Sequence, residues 1–495
     1  MADRDPIKVY DARWEVDEFD RNEVARLVEA TLMYGRLLGV DAVTICRDAR
    51  VGCAALAELA MDIALGSGFE VLLCPDPVST PQSYFVTFQA SAAHPRTMGL
   101  TFTASHNPAA YVGLKVVVPP VQAIGLDCGP LGGLRKVREL YHGGEPLPGG
   151  GRGRLHVQSL ARDYVEFSMD AAGLAPGSLA GLTVVFDFFN GSAGPEVMDA
   201  LQRSGASVVP LHLVPDGTFP AGSPNPTSAG KMAAAVARAR EAGRAVVVGT
   251  DGDGDRLVFG DGTGVLSAGI AAIPILSLTV PEKRGEREKV LYDPKVSPLS
   301  LSEWARLGVT PVLFRNGHSQ IKERMRGLDA AAAVEESGHF YHRLARQGLS
   351  VYIESSLLTV LSYLRAVKER PSLPEELRAL QDRVFTTGEF NYQLESAEAR
   401  DGALAKVLLC RRDDGAAVVS RTADGADLMG FHVSKGIDAR SGEPREGWYQ
   451  GYLRIATNEK AVVRSYLCAA DPRVGQDWEK RIRQVLTSLG GRVID

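Results

Sequence analysis

The chain has only six cysteines in 495 residues, and none of them (Cys46, Cys53, Cys74, Cys128, Cys410, Cys468) stands in a C-x-x-C pair. That spacing argues against a structural zinc site. So sparse a set fits free thiols in a reducing compartment better than a disulfide framework. No apolar run is long enough to cross a bilayer. Residues Met1 to Asp11 are charged and lack the apolar core of a secretion signal. The net charge is only −5, so no global field favours nucleic acid or an anionic membrane. The expectation is a cytoplasmic protein without a nucleic-acid or membrane partner. An anionic ligand would need a local cluster of Lys and Arg.

What is present is a chain too long for one core, so three or four domains are expected. Helical and extended patterns alternate. Arg21 to Gly39 carries Val24, Leu27, Val28 and Leu32 at helical spacing, and the apolar run Ala42 to Cys46 follows as a strand. The alternation recurs from Leu182 to Val248 and from Lys289 to Val334, implying helices packed on parallel or mixed sheets. Gly149 to Gly153 and Pro371 to Pro374 read as seams. Beyond Pro374 a helix is expected over Glu375 to Asp382, then short strands, then a last helix from Trp478 to Leu489. That is the pattern of a smaller α+β domain.

Two segments carry chemistry. Asp251-Gly252-Asp253-Gly254-Asp255-Arg256 places three carboxylates on alternate residues with glycine in both gaps. Such a loop can fold tightly and aim hard oxygens at one divalent cation, Mg²⁺ first among them. A solvated Asp-Gly turn is the alternative. An EF-hand is disfavoured because its sixth and twelfth positions would be Arg256 and Gly262 instead of Gly and Glu. The second segment, Thr103-Ala104-Ser105-His106-Asn107-Pro108, presents one hydroxyl beside an imidazole. Ser105 could cap a turn or carry a phosphate. The G-x-S-x-G elbow of serine hydrolases is absent around it.

Taken together these segments resemble the α-D-phosphohexomutase family, above all its bacterial phosphomannomutase/phosphoglucomutase branch. Tyr10-Asp11-Ala12-Arg13, Cys46-Arg47-Asp48-Ala49-Arg50, Ser79-Thr80-Pro81 and Tyr111-Val112-Gly113-Leu114-Lys115 follow its pattern in order. Asp293-Pro294-Lys295, Asn316-Gly317-His318-Ser319 and Glu335-Glu336-Ser337-Gly338-His339 continue it.

The resemblance implies four domains around a central cleft, three related α/β mixed-sheet domains and a smaller α+β domain, bounded here at 1–152, 153–258, 259–370 and 371–495. It implies interconversion of hexose 1- and 6-phosphates, of glucose or mannose, through a phosphoserine at Ser105 and a bisphosphorylated sugar. That bisphosphate would also be the activator. Ser105, Asp251, Asp253 and Asp255 would hold a single Mg²⁺. Arg256, Lys115, Lys295, His106 and Arg13 would serve the chemistry. His318, Glu335, Ser337, Arg454, Thr457 and Asn458 would bind the phosphosugar. A monomer or weak dimer is expected.

The last motif departs from the family, with Ala456 in place of a serine and Lys460 in place of a proline. A sugar-phosphate-binding paralog of weak turnover, a phosphoglucosamine-type mutase and a metal-dependent phosphatase are the rival readings.

Overall fold

The computed structural model describes residues 5–281, 286–346, 348–438, 442–455 and 461–494. The chain forms two compact units. The first comprises Met1–Leu266, Gly317–Ala332 and Ser337–Pro374, and the second Ser267–Asn316, Ala333–Glu336 and Glu375–Asp495. Among the described residues no helix is long and apolar enough to cross a membrane.

The first unit holds two mixed sheets. In one, the parallel strands Thr97–Phe102, Ala42–Arg47, Glu70–Leu73 and Leu155–Val157 are flanked by the antiparallel strands Tyr111–Val118 and Ala12–Glu15. Helix Arg21–Leu37 packs its Val24, Leu27 and Val28 into the core beside Val43, Ile45, Leu100 and Phe102. It starts at a capping box: Asp20 accepts from the Asn22 and Glu23 amides, and Glu23 accepts from Asp20 N. In the other sheet the central strand Ala245–Thr250 is buried throughout and pairs parallel with Thr183–Asp187 and antiparallel with Leu257–Asp261. A strand covered on both faces reads as an unbroken apolar run. It delivers Asp251 directly from its end. A hairpin of Phe340–Arg346 and Leu349–Glu354 also belongs to this unit.

The second unit contains the parallel pair Lys289–Tyr292 and Thr310–Leu313 and a six-stranded sheet built from residues 385–494. The latter encloses its own core of Tyr392, Leu404, Leu453, Leu467 and Trp478.

Two expectations are corrected. Residues 397–413, read as part of a strand-rich stretch, form a helix of 17 residues, Ala397–Asp413, capped by Ser396. The last helix runs Pro472–Ser488, starting six residues earlier than expected, because Asp471 caps it and Pro472 takes the first turn. The Gly149–Gly153 stretch, read as a seam, is exposed over residues 149–152 and held at its end, where Gly153 N donates to Leu65 O at 2.8 Å and a Cβ would collide with Phe69 O.

Candidate active site

The strand Thr97–Phe102 runs out into the loop that carries Ser105. Ser105 lies in the left-handed region, at φ +54°, where a non-glycine residue is strained. Its amide donates to Thr103 Oγ1 at 2.9 Å. Its Oγ donates to Asp251 Oδ2 at 3.2 Å and lies 3.2 Å from His106 Nδ1.

Asp251 organises its own loop, since Oδ1 accepts from the Asp255 and Arg256 amides, both at 3.1 Å. Gly254 supplies the left-handed turn, at φ +74°. Asp253 is gripped from two sides. Its Oδ2 accepts from Thr80 Oγ1 at 2.6 Å and from Lys115 Nζ at 2.7 Å, and its carbonyl accepts from Thr80 N at 2.7 Å. Asp255 Oδ2 accepts from the same ammonium at 2.6 Å, and its Oδ1 lies 3.3 Å from His339 Nε2.

One carboxylate oxygen from each of the three aspartates lies within 4.8 Å of the others. Among the described residues, Asp253 Oδ1 is buried without a hydrogen-bond partner. Converging hard oxygens, one of them orphaned, fit a divalent cation. Burial and the neighbouring carboxylates Asp253 and Asp255 push Asp251 well above the usual carboxylate range. Burial also opposes ionisation of Asp255, but Lys115 and His339 overcome it and hold that group well below the range. A bound cation would lower the cost of charging Asp251 too.

Lys115 is itself buried, yet the two aspartates hold its ammonium well above its ordinary value. In this state it is an acid and a counter-charge, not a base. His106 goes the other way: burial, Arg256 and Arg13 push it well below its ordinary value, so it is neutral. Arg256 Nη2 lies 3.5 Å from His106 Nε2 and can only donate. That contact places the imidazole proton on Nδ1, facing Ser105 Oγ.

Arg13 is paired with Asp11 and donates to Asn107 Oδ1 at 2.8 Å and Ala104 O at 3.3 Å. His318 lies at the start of helix His318–Leu328, and its buried Nε2 has no hydrogen-bond partner among the described residues. Burial, Lys322 and Lys115 hold it neutral. Ser337 Oγ lies 3.0 Å from His339 Nδ1. The first unit thus gathers Arg13, Ser105, His106, Lys115, the three aspartates and Arg256 into one network, with His339 as a link to Ser337.

Lys295, Glu335 and Arg454 belong to the second unit. There Glu389 stands among three cations: Arg464 Nη1 at 3.0 Å, Arg454 Nη2 at 3.7 Å and Lys295 Nζ at 3.7 Å. These three cations hold its carboxyl down, at about 2. Glu335 is buried. Thr457 and Asn458 lie outside the described residues.

Several members of the site were given no role by the sequence, although Thr80 and Arg50 stand in segments that follow the family pattern. Thr80 reaches Asp253 across 173 positions, and Arg50 reaches Ser105 across 55. Lys322 pairs with Glu354 at 2.6 Å and donates to Tyr84 OH at 3.0 Å, all in the interior. For Lys322, Glu354 and Tyr84 no motif points to the site, and only proximity in space assigns them.

Family models described as phosphoglucomutase/phosphomannomutase alpha/beta/alpha domains I, II and III match residues 5–125, 162–264 and 269–384. A phosphomannomutase of Salmonella typhimurium is 31% identical over 410 residues, covering 81% of this chain and 85% of that protein. A phosphomannomutase of Escherichia coli is 29% identical over 399 residues, covering 79% and 84%.

A solved phosphoglucomutase/phosphomannomutase family protein from Burkholderia thailandensis superposes with a TM-score of 0.79 at 22% identity over 98% of both chains. The phosphoglucomutase parafusin of Paramecium gives 0.73 at 14% identity, over 97% of this chain and 95% of that one. At such identities the structures establish a shared fold: three α/β domains with mixed sheets and a sheet-rich C-terminal domain.

Proposed function

The chain belongs to the phosphoglucomutase/phosphomannomutase family, and on that premise we propose that it interconverts a hexose 1-phosphate and the corresponding 6-phosphate. Ser105 carries the phosphoryl group. The observation that supports this most directly is the 3.2 Å contact between Ser105 Oγ and Asp251 Oδ2. It sets a single hydroxyl against a loop of three buried carboxylates.

A hydroxyl of the sugar monophosphate attacks phosphoserine phosphorus, the P–Oγ bond breaks, the hydroxyl proton ends on Ser105 Oγ, and a bisphosphorylated sugar forms. Ser105 Oγ then attacks the other phosphate, the bond from that phosphorus to its sugar oxygen breaks, and the sugar oxygen takes the proton, which turns one awkward transfer into two in-line ones. Asp251, Asp253 and Asp255 would hold a divalent cation, which supplies positive charge to the transferring group when bound. Arg256 adds a guanidinium on the same side. His106, neutral with its proton on Nδ1, donates to Oγ. Lys115 balances Asp253 and Asp255 in the interior and keeps the loop closed around Ser105.

Glu335 and Ser337 read sugar hydroxyls, and Arg454 takes the non-reacting phosphate, with Thr457 and Asn458 as further donors. Glucose and mannose phosphates differ only at carbon 2, so one site that reads the 3- and 4-hydroxyls serves both. The test is a coupled assay of glucose 1-phosphate, mannose 1-phosphate and N-acetylglucosamine 1-phosphate with Mg²⁺ and a hexose bisphosphate. Turnover of the first two supports the reading. Turnover of the third alone moves the protein to the amino-sugar mutases. Binding without turnover makes it a sensor.

A further inference from the structure

Arg50 belongs to the first unit and is 2% exposed. A guanidinium has five N–H donors. Here Nε donates to Asp48 Oδ2 at 3.1 Å, Nη1 to Pro108 O at 2.8 Å and Tyr111 O at 3.0 Å, and Nη2 to Ser105 O and Asn107 O, both at 2.6 Å. All five donors are spent, and four of them go to carbonyls of the segment from Ser105 to Tyr111. The Phe219 ring lies 4.8 Å from the guanidinium carbon and shields it. Asp48 also accepts from Arg50 N at 2.9 Å, so the side chain is fixed at its base as well.

A group so occupied has no donor left for a substrate. What it does have is control of a strained turn. Ser105 sits at φ +54°, a strained conformation that persists only when its surroundings over-determine it. Turning four carbonyls towards one buried cation is such an over-determination. The ammonium of a lysine carries the same charge but has three donors, and it cannot span four carbonyls.

We infer that Arg50 is a positioning residue for phosphoryl transfer. It locks the Ser105 loop in the left-handed turn that aims Oγ at the carboxylate loop, and it does so through the geometry of its fork rather than through its charge. This rests on Ser105 as the phosphoryl carrier. Displacing a reacting atom by about 1 Å costs about 10²-fold in rate, so the loss should appear in kcat and leave KM nearly as it was.

The experiment uses the full chain with Arg50→Lys and Arg50→Ala, assayed with Mg²⁺ and saturating hexose bisphosphate. Intact mass of the wild-type protein and Ser105→Ala first establishes whether Ser105 takes a phosphate, which tests the carrier reading separately. The expected result for Arg50→Lys is a folded protein with kcat lower by about 10²-fold and KM and Mg²⁺ dependence nearly unchanged. Arg50→Ala should recover part of its kcat with added guanidinium at sub-denaturing concentration, and none with ammonium or sodium chloride.

A kcat for Arg50→Lys within about threefold of wild type, well short of the loss that misplacement predicts, would overturn the inference, because charge alone would then suffice. So would a rise in KM with kcat unchanged, or equal rescue by ammonium. If neither variant folds, Arg50 serves stability, and the positioning role is abandoned.

Discussion

Glu196 should make this protein less stable as pH rises through neutrality. The residue lies on helix Gly194–Arg203 and is 4% exposed. Its Oε1 accepts from Ser79 Oγ at 2.6 Å, while Oε2 has no hydrogen-bond partner among the described residues. Burial, aided by the nearby Cys74 thiol, raises the carboxyl from its ordinary 4.5 to about 8.

The sign follows from proton counting. Between those two values the folded chain keeps the proton and the unfolded chain loses it, so stability is undiminished below pH 4.5 and falls as pH rises towards 8. Integrated from pH 5 to pH 7.5, the loss is about 3 kcal/mol. Glu196→Gln presents an uncharged group of the same shape. Its amide can accept from Ser79 and puts a donor where the protonated acid has its O–H. The variant should therefore match wild type near pH 5 and exceed it by about 3 kcal/mol at pH 7.5. Urea unfolding, read by hydrogen exchange in the helix that carries residue 196, measures both proteins at both pH values. A difference that stays constant with pH would refute the reasoning, since it would mean that the carboxyl is already ionised in the folded state.

Further outcomes follow from the sites described. Wild-type protein should carry a phosphate at Ser105, an added mass of about 80 Da, and Ser105→Ala should lose both that mass and turnover while remaining folded. Chelation should abolish turnover and Mg²⁺ restore it. Asp253→Asn should raise the Mg²⁺ concentration needed, as seen by titration calorimetry, because it removes a charge from the set. Lys322→Met should destabilise by about 3–5 kcal/mol in denaturant unfolding by stranding Glu354, and Lys322→Met with Glu354→Gln should regain much of that loss. A double variant no better than the single one would show that the pair is not coupled. Glu389, held at about 2, stabilises the second unit above pH 4.5 and loses that contribution as pH falls towards 2. Glu389→Gln should flatten this acid limb of the stability curve, and an unchanged limb would assign it to other groups.

The chemistry was more legible than the framework. Three aspartates on alternate positions and a serine before His-Asn-Pro are local patterns, and local patterns survive in a sequence. The residues that hold them in place are not local: Thr80 to Asp253, Lys115 to Asp255 and Arg50 to Ser105 are distant pairs. Helix Thr80–Ala93 was also invisible. Its buried positions include Thr80, Gln82, Ser83, Thr87 and Ser91, so it has no apolar stripe against a polar face. The same burial explains its hydroxyl network, in which Thr87, Ser91 and Ser83 bond to carbonyls in their own helix. In helix Ala268–Thr279 the obstacle was the reverse: it is apolar on every side and contains Pro274, so neither periodicity nor propensity marked it.

The chain passes between its two compact units at five points, after residues 266, 316, 332, 336 and 374. No single cut, and no single pair of terminal truncations, yields either unit alone. A fragment ending at Leu266 lacks the helix His318–Leu328 and the hairpin ending at Glu354, and with them His318 and the Lys322–Glu354 pair. A fragment starting at Glu375 lacks Lys295 and Glu335. Gene fragments of this protein are therefore unlike beads that can be restrung. Swapping its carboxy-terminal 121 residues for those of a relative exchanges Arg454 and Glu389 but keeps Lys295, a graft whose success depends on whether the donor's charges suit a lysine they did not evolve beside.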